Sequence, residues 1–541
     1  MEVWWGWNSW KSVAVGFGML CICMGVKMVD FLWWRPKRLE RWFGREGIRG
    51  PPYRFFLGNV KEMVGLMEIC SKKTMHQCSH NILPRVLPFY PHWKKIYGSS
   101  FLVWFGPTSR VMISDPDLIR EIFVTRSDSY EKYEAHPLVR QLEGEGLLSL
   151  RGEKWVHRRK IIAPTFYREN LQLLLPSIGE SVLDVLDKWV SSSSASASAS
   201  TKSGEVQVDV FEMFQYMMED AMCRTAFGAN YSDGKPIFRL QAKQMLAAAE
   251  SFSSVLIPGY RFLPTQKNID AWKLEKEINR NLVKLVDARK EFMATNKPEG
   301  NEYKETAGRD LLGLLIRASM RKGEEEESKM LTEKDIIEEC KTFFFAGKHS
   351  TSNMLTWATV LISMHPEWQD KAREEVIEVC GSSSHHFPTR QKLDKLKTLS
   401  MILNETLRLY PPAVATIRRA KTDVMLGGKY NIPKGTELLI PIMAVHHDED
   451  LWGPDVHEFN PGRFSMGVAR AANRSTSFVP FGLGGRNCVG QNLALMESKL
   501  ALAIILQRYS LHLSPSYVHS PTVLMLLHPR FGAPVVFRPF F

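Results

Sequence analysis

Phe481-Gly-Leu-Gly484-Gly-Arg486-Asn-Cys488-Val-Gly490 is the stretch that decides the fold of this chain. Its residues stand at the spacing F-x-x-G-x-R-x-C-x-G, which chance supplies in about one chain per several thousand of this size. The glycines let backbone approach a flat cofactor and adopt turn conformations denied to other residues. A single thiolate can ligate haem iron and push electron density towards O–O cleavage. Arg486, two residues before the cysteine, is placed to pair with a haem propionate.

Four further motifs precede this loop: Trp155-x-x-x-Arg159, Ala346-Gly347-Lys348-His349-Ser350-Thr351, Glu405-Thr-Leu-Arg408 and Pro461-Gly-Arg463-Phe464. Together the five resemble, in order and over nearly the whole chain, the cytochromes P-450, the haem-thiolate monooxygenases. The resemblance implies a mainly α fold with small β-sheets (α+β). Haem b would lie between a long central helix and the cysteine loop, with Cys488 as axial ligand. It places Phe481, Gly484, Arg486 and Gly490 in the haem loop, and Trp155, Arg159, Arg418 and Arg486 on the propionates. Arg419 is adjacent to Arg418 and open to the same role. Glu405 and Arg408 are i and i+3 on one helix face. By resemblance they form a buried network closed by Arg463 that supports the haem loop.

The Ala346–Thr351 segment falls at the oxygen-activation site, where the commonest pattern is A-G-x-[D/E]-T-T. His349 replaces the acid and Ser350 the first threonine. Ser350 keeps a hydroxyl able to order water and donate a proton, without the methyl that restricts a threonine rotamer. His349 is open to two readings, proton relay or plain packing against solvent or a neighbouring helix. With Thr351 these are the catalytic candidates. Electrons are expected from NADPH through a separate flavoprotein reductase, since no flavin or nicotinamide motif is present.

The chain has 541 residues, 44% of them hydrophobic, and length alone suggests about three domains. The motifs run from Trp155 to Gly490 and must converge on one cofactor, so a single catalytic domain is expected over 53–541. Net charge is +12, from 70 Lys and Arg against 58 Asp and Glu. The basic residues are dispersed and no nucleic-acid motif appears. An anionic membrane surface and an acidic electron donor account for the excess better. The eight cysteines show neither zinc spacing nor a disulfide framework, which fits a reducing compartment.

Ser12 to Val26 is apolar apart from Ser12 and lies between Lys11 and Lys27, with Trp4, Trp5, Trp7 and Trp10 before it and Trp33 and Trp34 after it. Spanning a bilayer takes about 20 residues, which puts the tryptophan-rich ends at the interfaces. A cleaved signal peptide is the competing reading, but a small-x-small site is absent and basic Arg35-Pro-Lys-Arg38 follows. The expectation is a single-pass anchor over 1–34 in the endoplasmic reticulum membrane, a basic, Pro/Gly-rich linker over 35–52, and a cytosolic catalytic domain.

Thr332 and Asp335 resemble a capping box, and Pro366 is a stop, so one helix is expected over 332–365. It would run about 50 Å and cross the domain. Gly347 in its middle reads either as a packing notch or as a groove admitting dioxygen. Phe101–Phe105, Val111–Ser114 and Thr436–Pro441 read as strands, and Gly427-Gly428 as a hairpin turn. Ser191–Ser203 reads as a flexible loop and Glu324–Glu327 as a solvated one.

The segments YEKYEAHPLVRQLEGEGLLSLRGEKW, LKTLSMILNETLRLYPPAVATIRRAK and PTVLMLLHP–APVVFRP are similar to those of plant brassinosteroid-inactivating enzymes. Those relatives hydroxylate the steroid side chain at C-26, implying a small apolar steroid substrate together with dioxygen. Their oxygen site reads more like A-G-K-Q-T-T, so His349 and Ser350 depart from it. Candidate pocket residues are Phe344, Phe345, Ala346, Ala413, Val414, Thr416, Val523 and Leu524, although each also fits a buried core. The alternatives are a monooxygenase of the same plant clan acting on a cytokinin, gibberellin, fatty acid or triterpenoid, or a haem-thiolate hydroperoxide isomerase or dehydratase.

Overall fold

The computed structural model describes residues 2–73, 75–76, 79–196, 204–228, 231–250, 262–295, 310–320, 331–381 and 387–540. Glu324–Glu327 and Cys78 fall outside them. The fold is mainly α-helical, with four small sheets among the described residues. Its axis is the helix Glu333–Met364. Thr332 Oγ1 accepts the N–H of Asp335 at 3.1 Å, and the Asp335 carboxylate accepts the N–H of Thr332 at 2.9 Å, the reciprocal box expected of a helix start. His365 then leaves helical geometry and Pro366 begins the next helix. This central helix is buried along nearly its whole length, packed by Val210–Ala226, Lys397–Leu409 and Gln491–Arg508.

The largest sheet holds five strands in the order Ser100–Phe105, Thr108–Ile113, Glu437–Ile440, Thr416–Ala420, Tyr130–Lys132. One pairing is parallel, between Thr108–Ile113 and Glu437–Ile440. The Gly427-Gly428 turn joins Val424–Leu426 to Tyr430–Ile432, and both glycines have the positive φ that such a tight turn requires. A main apolar core surrounds the central helix, and a second, smaller cluster lies under the five-stranded sheet.

Two local expectations change. The chain over 35–52 begins as a helix, Arg35–Arg45, continuous with the apolar helix Glu2–Val29 through a π-turn at Asp30–Trp34. Phe43 on its apolar face is fully buried in the second cluster, Trp42 Nε1 donates to the carbonyl of Asn431 at 3.1 Å, and Tyr53 donates to the carbonyl of Leu32 at 2.5 Å. Amphipathic burial overrides the basic, proline-containing composition; Pro36 lies inside this continuous helix and cannot donate to the carbonyl four residues back, that of Leu32, which accepts from Tyr53 instead. The serine run behaves similarly: the helix Arg168–Ser196 continues into it, and 197–203 lie outside the described residues.

From Val13 to Arg45 the chain has one helix long and apolar enough to cross a membrane, with mean hydropathy 1.8 over its most apolar stretch. Almost none of that stretch is buried against protein.

Candidate active site

The haem loop is shaped by its own backbone. The N–H of Cys488 donates to the carbonyl of Phe481 at 2.8 Å, and that of Asn487 to Gly484 at 3.1 Å. Gly484 has φ +66, and a Cβ there would stand 2.1 Å from the carbonyl oxygen of Phe123, so only glycine lets the loop rest on that segment. Cys488 immediately precedes the helix Gln491–Arg508. Burial pushes its thiol up, while the N–H groups of Gly490 and Gln491 and the Arg159 cation pull it down. The Cys488 side chain is not covered by other protein atoms and is open to a ligand. In the middle of the mostly buried central helix, Ala346, Gly347 and Ser350 are half-accessible.

Three cations converge near this loop. The Arg486 guanidinium stacks on the Trp155 ring at 4.1 Å and donates to the carbonyl of Leu150. Arg418 lies over Phe123 at 4.4 Å, and cross-strand pairing sets it opposite Lys132. Like charges paired across strands destabilise a sheet unless an anion intervenes. Burial, reinforced by the other cations, pushes both Arg418 and Arg486 down to about 10, and Lys132 down as well. None of these three has a carboxylate within 4 Å among the described residues, and Glu143 and Glu131 act on Lys132 and Arg486 only from longer range. A cation cluster beside a lone thiol with two backbone N–H donors fits a haem, whose propionates are the missing anions.

Arg418 rather than Arg419 is the buried member of its pair. Arg159 departs from its expected place: it grips Asn487, donating to the backbone carbonyl and to Oδ1, both at 2.9 Å. It thus braces the residue before the thiol rather than presenting a free edge to a propionate. Lys132 carried no sequence signal beyond its place in the YEKYEAH segment, because only strand pairing sets it opposite Arg418.

The supporting network is as expected. Glu405 and Arg408 are fully buried and doubly bonded, at 2.7 and 2.8 Å, and Arg463 closes on Glu405 at 3.2 Å. Arg463 also binds Asp455 at 2.9 Å, and Arg408 donates to the carbonyls of His446 and Val456. His446, which the sequence did not single out, accepts the N–H of Val479 through Nε2 at 3.0 Å. The network therefore reaches the chain entering the haem loop.

At the oxygen site, Ser350 Oγ donates to the carbonyl of Ala346 at 2.7 Å, a back-bond that loosens the helix locally, and Thr351 is buried. Gly347 resolves towards packing: a Cβ there would meet Met222 Sδ at 2.5 Å, so its bare face accepts the neighbouring helix. Lys348 points the same way and pairs with Glu219 at 2.5 Å. His349 is buried beside Phe345, and burial with the nearby Lys348 cation holds it down at about 3, hence neutral.

Among the pocket candidates, Ala413, Thr416, Val523 and Leu524 are partly exposed, while Val414 and Phe345 are nearly buried. Phe344 is a correction: its ring is fully buried, stacked on Phe227 at 4.2 Å and edge-on to Phe238 at 4.7 Å, with no face left for a ligand.

The family model described as Cytochrome P450 matches residues 86–530. The chain is a cytochrome P-450. "Cytochrome P450 734A1" of Arabidopsis thaliana is 60% identical, over 95% of this chain and 94% of its own. "Cytochrome P450 734A6" of Oryza sativa subsp. japonica is 57% identical over 99% and 96%. "Secologanin synthase 2" of Catharanthus roseus is 37% identical over 98% and 97%. As a member of this family the chain is a haem-thiolate monooxygenase, with its electrons delivered from NADPH by a reductase.

Proposed function

We propose that this cytochrome P-450 hydroxylates brassinosteroids at C-26 of the side chain and so inactivates the hormone. The observation that carries the reading is the full-length likeness to the brassinosteroid-inactivating group, and the cysteine loop, cation cluster and oxygen-site hydroxyl support it. The chain would act from the endoplasmic reticulum membrane, anchored by its N-terminal helix with the catalytic domain in the cytosol.

Haem held by Cys488 supplies dioxygen activation and C–H oxidation when bound. The chain's own residues do the rest. Arg418, Arg486 and Lys132 would neutralise the propionates of a bound haem, and the N–H groups of Gly490 and Gln491 stabilise negative charge on the sulfur. Ser350 holds a proton on Oγ at the half-open turn of the central helix. Ala413, Thr416, Val523 and Leu524 offer the apolar interior that a sterol body wants, excluding water from it.

The test is to incubate membranes carrying the protein and a plant reductase with NADPH and castasterone or brassinolide, and to analyse products by mass spectrometry. NADPH-dependent product hydroxylated at C-26 supports the reading. Absence of product, with a thiolate-type ferrous–CO spectrum intact, moves the search to other plant hormones and lipids.

A further inference from the structure

Further along the central helix from the oxygen site lies a chain of aromatic and imidazole groups that haem anchoring does not use. Trp357 is seven residues beyond Ser350, two turns or about 10 Å along the same helix face. Its ring stacks on Tyr410 with centroids 4.4 Å apart and planes 21° from parallel. Both rings are fully buried. The Tyr410 hydroxyl sits between His80 Nδ1 at 2.8 Å and His519 Nε2 at 3.2 Å. His519 Nδ1 meets the Tyr517 hydroxyl at 2.8 Å, His80 Nε2 meets His365 Nε2 at 3.4 Å, and His365 Nδ1 meets exposed Glu367 at 3.2 Å.

One assignment of tautomers satisfies every hydroxyl and imidazole in a single direction, while the buried Trp357 Nε1–H has no hydrogen-bond partner among the described residues. Tyr517 donates to His519, His519 to Tyr410, Tyr410 to His80, His80 to His365, and His365 to the surface carboxylate. Burial keeps His80 at about 3 and His519 at about 4, so both stay neutral with a lone pair available. A phenol hydrogen-bonded to a neutral imidazole sheds its proton as it is oxidised, which removes the cost of a buried cation radical.

We infer that Trp357 and Tyr410 form a one-electron donor pair, with His80 and His365 as its proton outlet, that discharges an oxidant formed at the haem site when no substrate bond is in reach. Tyr410 gives one electron, relayed through Trp357, and the oxidant is reduced by one electron. The Tyr410 O–H bond breaks and its proton goes to His80 Nδ1. The His80 Nε2 proton passes to His365, and the His365 Nδ1 proton to Glu367 and solvent. A soluble thiol or enediol reductant returns one electron, a proton re-enters by the same path, and the phenol is restored; a second turn of the same cycle supplies the remaining electron of a two-electron oxidant. The function rests on haem binding alone and is independent of which substrate the pocket takes.

The test mixes the haem-loaded, substrate-free full chain with a peracid, freezes it within milliseconds and records electron paramagnetic resonance. The expected result is a neutral tyrosyl radical coupled to exchangeable protons, as bonding to His80 and His519 demands, and lost in Tyr410→Phe. Trp357→Phe should delay its appearance while leaving the ferrous–CO spectrum unchanged. No tyrosyl radical in the unaltered protein, a radical without exchangeable-proton coupling, or a signal undiminished in Tyr410→Phe would each overturn the inference. The first two outcomes need no variant, so a Tyr410 variant that fails to fold cannot shield it.

Discussion

His446 joins two parts of the site. Its carbonyl accepts from Arg408 Nη1 at 3.0 Å, while its ring accepts the N–H of Val479, two residues before Phe481, at 3.0 Å. The buried ion pair thus touches the haem loop through one histidine. Replacing His446 with Phe should remove the acceptor and convert the thiolate-type ferrous–CO spectrum to the inactive form faster on mild heating. His446→Gln, which restores an acceptor, should recover much of the loss. Equal decay rates in the two variants would refute a positioning role.

Glu405 neutralises two buried arginines. Glu405→Ala leaves Arg408 and Arg463 with one exposed carboxylate between them, and breaking such a pair costs about 3–5 kcal/mol. Denaturant unfolding of the haem-loaded protein should show that loss together with early haem release.

Gly347 and Met222 should be coupled. Gly347→Ala forces a Cβ onto Met222 Sδ and should cost about 1–3 kcal/mol. Met222→Ala opens the space, so the double variant should be more stable than the sum of the single losses predicts. Additive losses would show that the notch tolerates a methyl group.

Ser350 lacks the methyl that would fix its hydroxyl. Ser350→Thr should lower the ratio of peroxide to product, and Ser350→Ala should raise it, with little change in steroid affinity. Peroxide measured against NADPH consumed decides the matter, and an unchanged ratio in both variants would remove Ser350 from proton delivery.

Acid should weaken the fold through buried imidazoles. His80 and His519 fall from the ordinary 6.5 to about 3 and about 4 because burial penalises their charged forms. Between those values and 6.5 the unfolded chain binds more protons. Their contribution is therefore complete above 6.5 and drains away as pH falls towards 4 and then 3. Urea midpoints at about pH 7 and about pH 5 should differ, and His80→Gln should narrow the gap.

Much of the site was legible because its chemistry is local. Cys488, its glycines and Arg486 fall within ten residues, Glu405 and Arg408 within one helical turn, and Thr332 and Asp335 within one capping box. Fixed backbone geometry turns such spacings directly into positions. The strands, the hairpin at Gly427-Gly428 and the ends of the central helix were readable for the same reason.

Other assignments depended on partners far away in the chain. Which side of the central helix Gly347 presents was settled by Met222, and Phe344 was withdrawn from the pocket by Phe227 and Phe238. Arg159 was turned towards Asn487, and Lys132 was brought opposite Arg418 by strand register. Residues 35–45 became a docked helix because a buried site existed for Phe43. Short-range periodicity and turn chemistry are properties of the chain itself, whereas burial and the pairing of distant charges exist only once packing has chosen neighbours.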